Sequence, residues 1–171
     1  MSGLSRLKKV CKYASVVMDV ATVVLALLTI AMAAIGIWSA FDASLSAQIF
    51  NDLLHLGTDA DGLTKTAACI QIVLILGLGA LTVFILGRIM RSIHTEHSPF
   101  TELNASRMKL MSVSYLISSF LLMVLGIMKG SNVLEIVFLF LGMLLVAVVS
   151  YCLTLMCRYG LLLQEESDMT L

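Results

Sequence analysis

Four long apolar runs, separated by short polar islands, constrain this chain more than any other feature of its sequence. They cover residues 14–40, 66–87, 110–128 and 133–157. A bilayer core of about 30 Å takes about 20 helical residues to cross, and each run approaches or exceeds that length. Backbone groups in lipid must be satisfied within the segment, so four apolar runs predict four helices. The expected fold class is all-α: an integral membrane antiparallel four-helix bundle. Composition agrees, since 60% of the 171 residues are hydrophobic and 13% charged, against roughly 25% charged in soluble domains. No island is long enough for a separate globular unit, so residues 1–171 read as a single membrane domain. The first run has a basic start and Ala31-Met32-Ala33 as a conceivable cleavage site. Its apolar core outlasts the ~7–15 residues of a secretory signal, and it reads as a retained helix.

The basic residues fall almost entirely on alternate islands. Arg6, Lys8, Lys9 and Lys12 precede the first run, Arg88, Arg91, Arg107 and Lys109 lie in the island 88–109, and Arg158 opens the tail 158–171. The other islands hold only Lys65 and Lys129, together with Asp42, Asp52, Asp59 and Asp61. By the positive-inside rule, both termini and the island 88–109 are expected in the cytoplasm. The localisation expected is a multi-pass protein of the cytoplasmic membrane.

Within the runs, small and hydroxyl residues line single helical faces. Ser15, Asp19, Thr22, Ala26, Thr29, Ala33, Gly36 and Ala40 alternate spacings of four and three, which makes a straight seam for close helix approach. Ser112, Tyr115, Ser119, Leu122 and Gly126 repeat the pattern in the third run, and Ala147, Ser150, Thr154 and Cys157 in the fourth. The second is less regular, with Gln71, Gly79 and Thr82 on one side and Gly77 behind. Val16, Val17, Val23, Val24, Leu27 and Leu28 are expected to face lipid or to fill gaps between helices. In the first outer island, Leu45, Ile49, Leu53 and Leu56 recur at helical spacing and predict a short amphipathic helix. Lys129 to Asn132 predicts a tight turn between the third and fourth helices.

Candidate chemistry is sparse. The intramembrane polar residues of interest are Asp19, Gln71 and Tyr115. Asp19 is the one carboxylate well inside a run, and an ionisable residue there suggests a proton or cation relay. Without a deeper partner it reads instead as a structural pair with Lys12, Arg88 or Arg158. Glu135 suits the first turn of the fourth helix and stands near Lys129. His94 and His97 lack the further ligands a zinc site needs, and Asp59-Ala60-Asp61-Gly62 has the wrong residues at the ends of a calcium loop. No catalytic, cofactor-binding or metal-binding set is recoverable, and a non-enzymatic protein is expected.

The sharpest local motif is Ser98-Pro99-Phe100-Thr101-Glu102-Leu103-Asn104-Ala105-Ser106-Arg107. Either Ser98, with Pro99 at the first helical position, or Thr101 can cap the third helix. The tail from Gly160 to Leu171 is amphipathic and acidic. Together, Pro99, Phe100, Thr101, Asn104 and Arg107 in the island and Leu163, Gln164, Glu166, Asp168 and Thr170 in the tail resemble the small four-span bacterial membrane proteins catalogued as domain of unknown function 2975. Topology and length agree along essentially the whole chain. The resemblance implies no established activity, but it implies a small cytosolic helix-turn-helix regulator as partner. The acidic tail offers a physical route, by docking on the basic DNA-reading face of such a regulator. It could equally fold back onto Arg88, Arg91, Arg107 and Lys109.

The expected function is that of a non-enzymatic regulatory or sensory membrane partner. The alternative is an oligomeric small-solute or ion transporter or channel subunit. Expected partners are the lipid bilayer, the helix-turn-helix regulator and further copies in a homo-oligomer, with no direct nucleic acid binding and no cofactor.

Overall fold

A computed structural model describes residues 3–39, 62–96 and 100–169, with side chains placed at 8–38, 62–95 and 100–167. The amphipathic helix expected between Leu45 and Leu56 lies outside the described residues, as do His97, Ser98, Pro99 and Thr170. Four α-helices make up the described chain: α1 Gly3–Ser39, α2 Gly62–Glu96, α3 Glu102–Lys129 and α4 Val133–Met169. All four are long and apolar enough to cross a membrane, so the protein is an all-helical, multi-pass membrane protein.

The bundle is antiparallel, and neighbours in sequence are neighbours in space. On α1 and α2, Gly36 lies against Cys69, Thr29 near Gly77, and Met18 against Gly87. On α3 and α4, Gly126 lies against Ile136, Ser112 bonds the Ala147 carbonyl, and Phe100 lies on Gly160. Tyr115 joins the two hairpins by meeting Thr82 of α2. Leu78, Tyr115 and Ala147 form the buried centre where α2, α3 and α4 converge.

The seams of small residues explain these pairings. Ser112, Tyr115, Ser119, Leu122 and Gly126 are all buried, as are Ala147, Ser150, Thr154 and Cys157. Lipid tails are as apolar as leucine, so helix association relies on close packing and cross-helix hydrogen bonds. A Cβ on Gly126 would sit 2.9 Å from Ile136 Cγ1, which is why the tightest approach near the α3–α4 turn carries no side chain. Val16, Val17, Val23, Val24, Leu27 and Leu28 are exposed on the outer surface of α1.

Turn chemistry closes the α3–α4 hairpin. Gly130 adopts φ 74°, a left-handed conformation that glycine enters without steric cost. Its N–H bonds the Ile127 carbonyl, and the Ser131 N–H bonds the Gly126 carbonyl, a Schellman arrangement. Lys129 Nζ then lies 3.5 Å from Glu135 Oε1, the pairing the sequence suggested.

Among the described residues the helices outrun the expected apolar spans farthest at the basic face. Lys109 to Lys129 measures about 30 Å of helix and Glu135 to Arg158 about 35 Å, at 1.5 Å per residue. Beyond Arg158, α4 continues as helix to Met169, about 16 Å farther. Before Asp19, α1 begins at Gly3, about 24 Å out. Both projections stand on the face that collects the basic residues.

Candidate functional site

The basic face is where three helices are tied together by polar side chains. Thr101 is the residue that caps α3: its backbone is extended and its hydroxyl accepts the Asn104 N–H at 3.2 Å. This satisfies one of the amides orphaned at a helix start. Glu102 in the first turn adds a favourable charge at the helix dipole. The cap fixes where α3 begins, and so where Asn104 points.

Asn104 is fully buried. Its Nδ2 donates to Ser92 Oγ of α2 at 3.2 Å, and its Oδ1 accepts from Arg107 Nη1 at 3.2 Å. A buried amide is costly unless its donors and acceptors are matched, so this residue couples α2 to α3. Phe100 reaches the other way. A Cβ at Gly160 would lie 2.6 Å from the Phe100 ring, so the ring is seated directly on the α4 backbone. Glycine inside a helix costs about 1 kcal/mol relative to alanine, and the seat for Phe100 is the compensating reason.

Of the motif residues, the structure therefore brings Phe100, Thr101, Asn104 and Arg107 together. Leu163, Gln164 and Glu166 lie farther along α4, with Leu163 and Glu166 exposed. Asp168 falls within α4 near its end. Ser92 and Gly160 also belong to this junction, and the sequence motifs omit both. A helix-interior glycine two residues past Arg158 was the available signal for Gly160. Ser92 carried none, because its role depends on a partner twelve residues away across an island.

As far as Met169 the tail continues α4 as a helix, and among the described residues Glu165 and Glu166 form no ion pair with Arg88, Arg91, Arg107 or Lys109. Backbone continuity explains this: nothing from Cys157 to Ser167 breaks the helix, and the Phe100 seat holds it beside α3. Between α3 and this end of α4 lies a groove of about 430 Å³, open to solvent, lined by Glu102, Ser106, Arg158, Leu161, Leu162 and Glu165 with Ala105 at its floor.

Asp19 is paired, but with Arg91 rather than Lys12, Arg88 or Arg158. Gly87 lets α1 approach α2 closely, with Asp19 Oδ1 3.7 Å from where a Cβ would stand. Arg91 is one turn farther along α2 and reaches Asp19. Arg88 instead stacks over the Phe84 ring at 5.1 Å, and Arg158 is on α4, which does not pack on α1. Both members of the pair are about half exposed.

Deeper in the bundle, several hydroxyls are hydrogen-bonded within it. Tyr115 is buried, and its hydroxyl lies 2.7 Å from Thr82 Oγ1. Thr22, Thr29, Ser150 and Thr154 bond carbonyls of their own helices one turn back. Gln71 is buried, and its Oε1 has no hydrogen-bond partner.

Comparison of the chain with protein-family models, with curated proteins and with solved structures found no match in any of the three.

Proposed function

We propose that this multi-pass membrane protein is a non-enzymatic regulatory partner in a bacterial cytoplasmic membrane, with its basic face in the cytoplasm. On this reading its acidic helix end receives a small cytosolic helix-turn-helix regulator. The observation that carries the proposal is the close seating of the Phe100 ring on Gly160, which packs the start of α3 against the acidic end of α4. Glu165 and Glu166 are exposed on that helix, beside a groove. An acidic surface of this kind complements the basic face with which a helix-turn-helix module contacts phosphates. Charge asymmetry along the chain supports the orientation, and the island and tail motifs support kinship with domain of unknown function 2975.

A transporter or channel subunit would need a polar path through the bundle. The hydroxyls that would build it are hydrogen-bonded to helix carbonyls or to one another, which favours the regulatory reading. Deleting Gln164 to Leu171 provides the test. Pull-down with the intact chain recovers a helix-turn-helix protein, and the truncated chain, still inserted in the membrane, loses it. Failure of the intact chain to retain any such protein would contradict the proposal.

A further inference from the structure

Two helix ends rise from the basic face and do not pack on each other. The α1 end buries Cys11 and Ser15, and it leaves Lys9, Val10, Lys12 and Tyr13 exposed, Val10 at 65% and Tyr13 at 71%. The α4 end leaves Tyr159, Leu162, Glu165 and Glu166 exposed. One arm is apolar and basic, and the other is apolar and acidic.

The two arms also stand at matching heights. Gly87 of α2 lies against Met18 of α1, Ser92 of α2 bonds Asn104 of α3, and Phe100 of α3 lies on Gly160 of α4. Stepping across these contacts sets Lys9 level with the start of α3 and with Leu161, and Glu165 about one turn farther out, some 6 Å at 1.5 Å per residue. A lysine side chain spans that difference. Within one chain α1 packs chiefly on α2, α2 on α3 and α3 on α4, which sets the two arms at opposite ends of the row.

We propose that the basic α1 arm of one copy docks on the outer end of the α3–α4 groove of a second copy, where Glu165 lies beyond Arg158 along α4. The contact is heterologous, since one copy gives its arm and the other its groove, and such contacts propagate into closed rings when the rotation closes. All copies share one membrane normal, which keeps every arm at the height of its neighbour's groove. Val10 and Tyr13 cover Leu161 and Leu162, while Lys8 and Lys9 face Glu165 and Glu166. The proposal stands apart from the regulatory reading, although both use the acidic helix end, so that assembly and regulator docking compete.

Charge reversal tests it in the full chain. One variant carries Lys8→Glu with Lys9→Glu, and the other carries Glu165→Lys with Glu166→Lys; Glu102 is kept because it supports the first turn of α3. Two differently tagged copies are expressed together, and the membrane fraction is purified through one tag. Wild-type copies co-purify, and added salt weakens their association as screening predicts. Each variant paired with itself co-purifies about tenfold less, because like charges now face each other. The two variants expressed together recover association, because each opposes the other with the opposite sign. Helix content of each purified variant, read by circular dichroism, matches wild type. Monomeric wild type, variants that self-associate normally, or a well-folded mixed pair that stays apart each overturn the proposal. Attraction of the arm to anionic lipid alone predicts no recovery in the mixed pair.

Discussion

The membrane-spanning part of this bundle and its projection above the basic face are held together by different means. Inside, contacts run through glycine, alanine and hydroxyl residues, many hydroxyls bond their own helix, and the bond between Tyr115 and Thr82 is a pair of neutral hydroxyls. Toward the basic face, charged and amide side chains bond across helices: Asp19 with Arg91, and Asn104 with Ser92. The difference follows from the surroundings. Lipid rewards close fit and penalises unmatched polar groups, whereas the edge offers water and headgroups and so admits charged, longer side chains. The spanning part supplies shape and depth, and in the proposed function the projection would supply recognition.

Substitutions can break this contrast or sharpen it. Gly160→Leu should be the most damaging, because the added side chain occupies the Phe100 seat. Overpacking of this kind costs about 1–3 kcal/mol, and thermal unfolding in detergent should show it alongside loss of contact between α3 and the end of α4. Asn104→Ala comes next at about 1–2 kcal/mol, since a buried network loses its central member. Its signature is loosening of the α2–α3 junction, read as increased accessibility of a cysteine placed at Ser92. In the spanning part, Ser112→Ala removes one bond to the Ala147 carbonyl and should cost about 0.6 kcal/mol, the mean for such bonds in membranes. Asp19→Asn should be smallest, under about 0.5 kcal/mol by the same unfolding measurement, because half-exposed ion pairs contribute little. A loss several times larger would mean that Asp19 is more deeply desolvated than its half exposure implies.

Much of the spanning part was legible in the sequence. The four runs, the seams at alternating spacing and the turn at Lys129–Asn132 all have local causes, namely apolar length, helical periodicity and a glycine at the cap. The projection was less so. Thr101 was one of two possible caps, and the structure selects it because its hydroxyl reaches the Asn104 amide. The sequence suggests Lys12, Arg88 or Arg158 as the partner of Asp19, whereas the structure pairs it with Arg91, because Gly87 sets how closely α1 approaches α2. The tail gave an acidic amphipathic pattern but not its continuity with α4. That continuity depends on Phe100 and Gly160, sixty residues apart, and no local pattern announces such a contact.

The central claim is that the α4 end is a rigid acidic helix held by the Phe100 seat, independent of the spanning part. Backbone hydrogen exchange on the protein in lipid vesicles, comparing wild type with Gly160→Leu, addresses it most directly. The amides from Tyr159 to Glu165 should be protected in wild type and should exchange rapidly in the variant, while those from Val133 to Cys157 stay protected in both. Rapid exchange of the 159–165 amides in wild type, or protection lost along all of α4 in the variant, would contradict it.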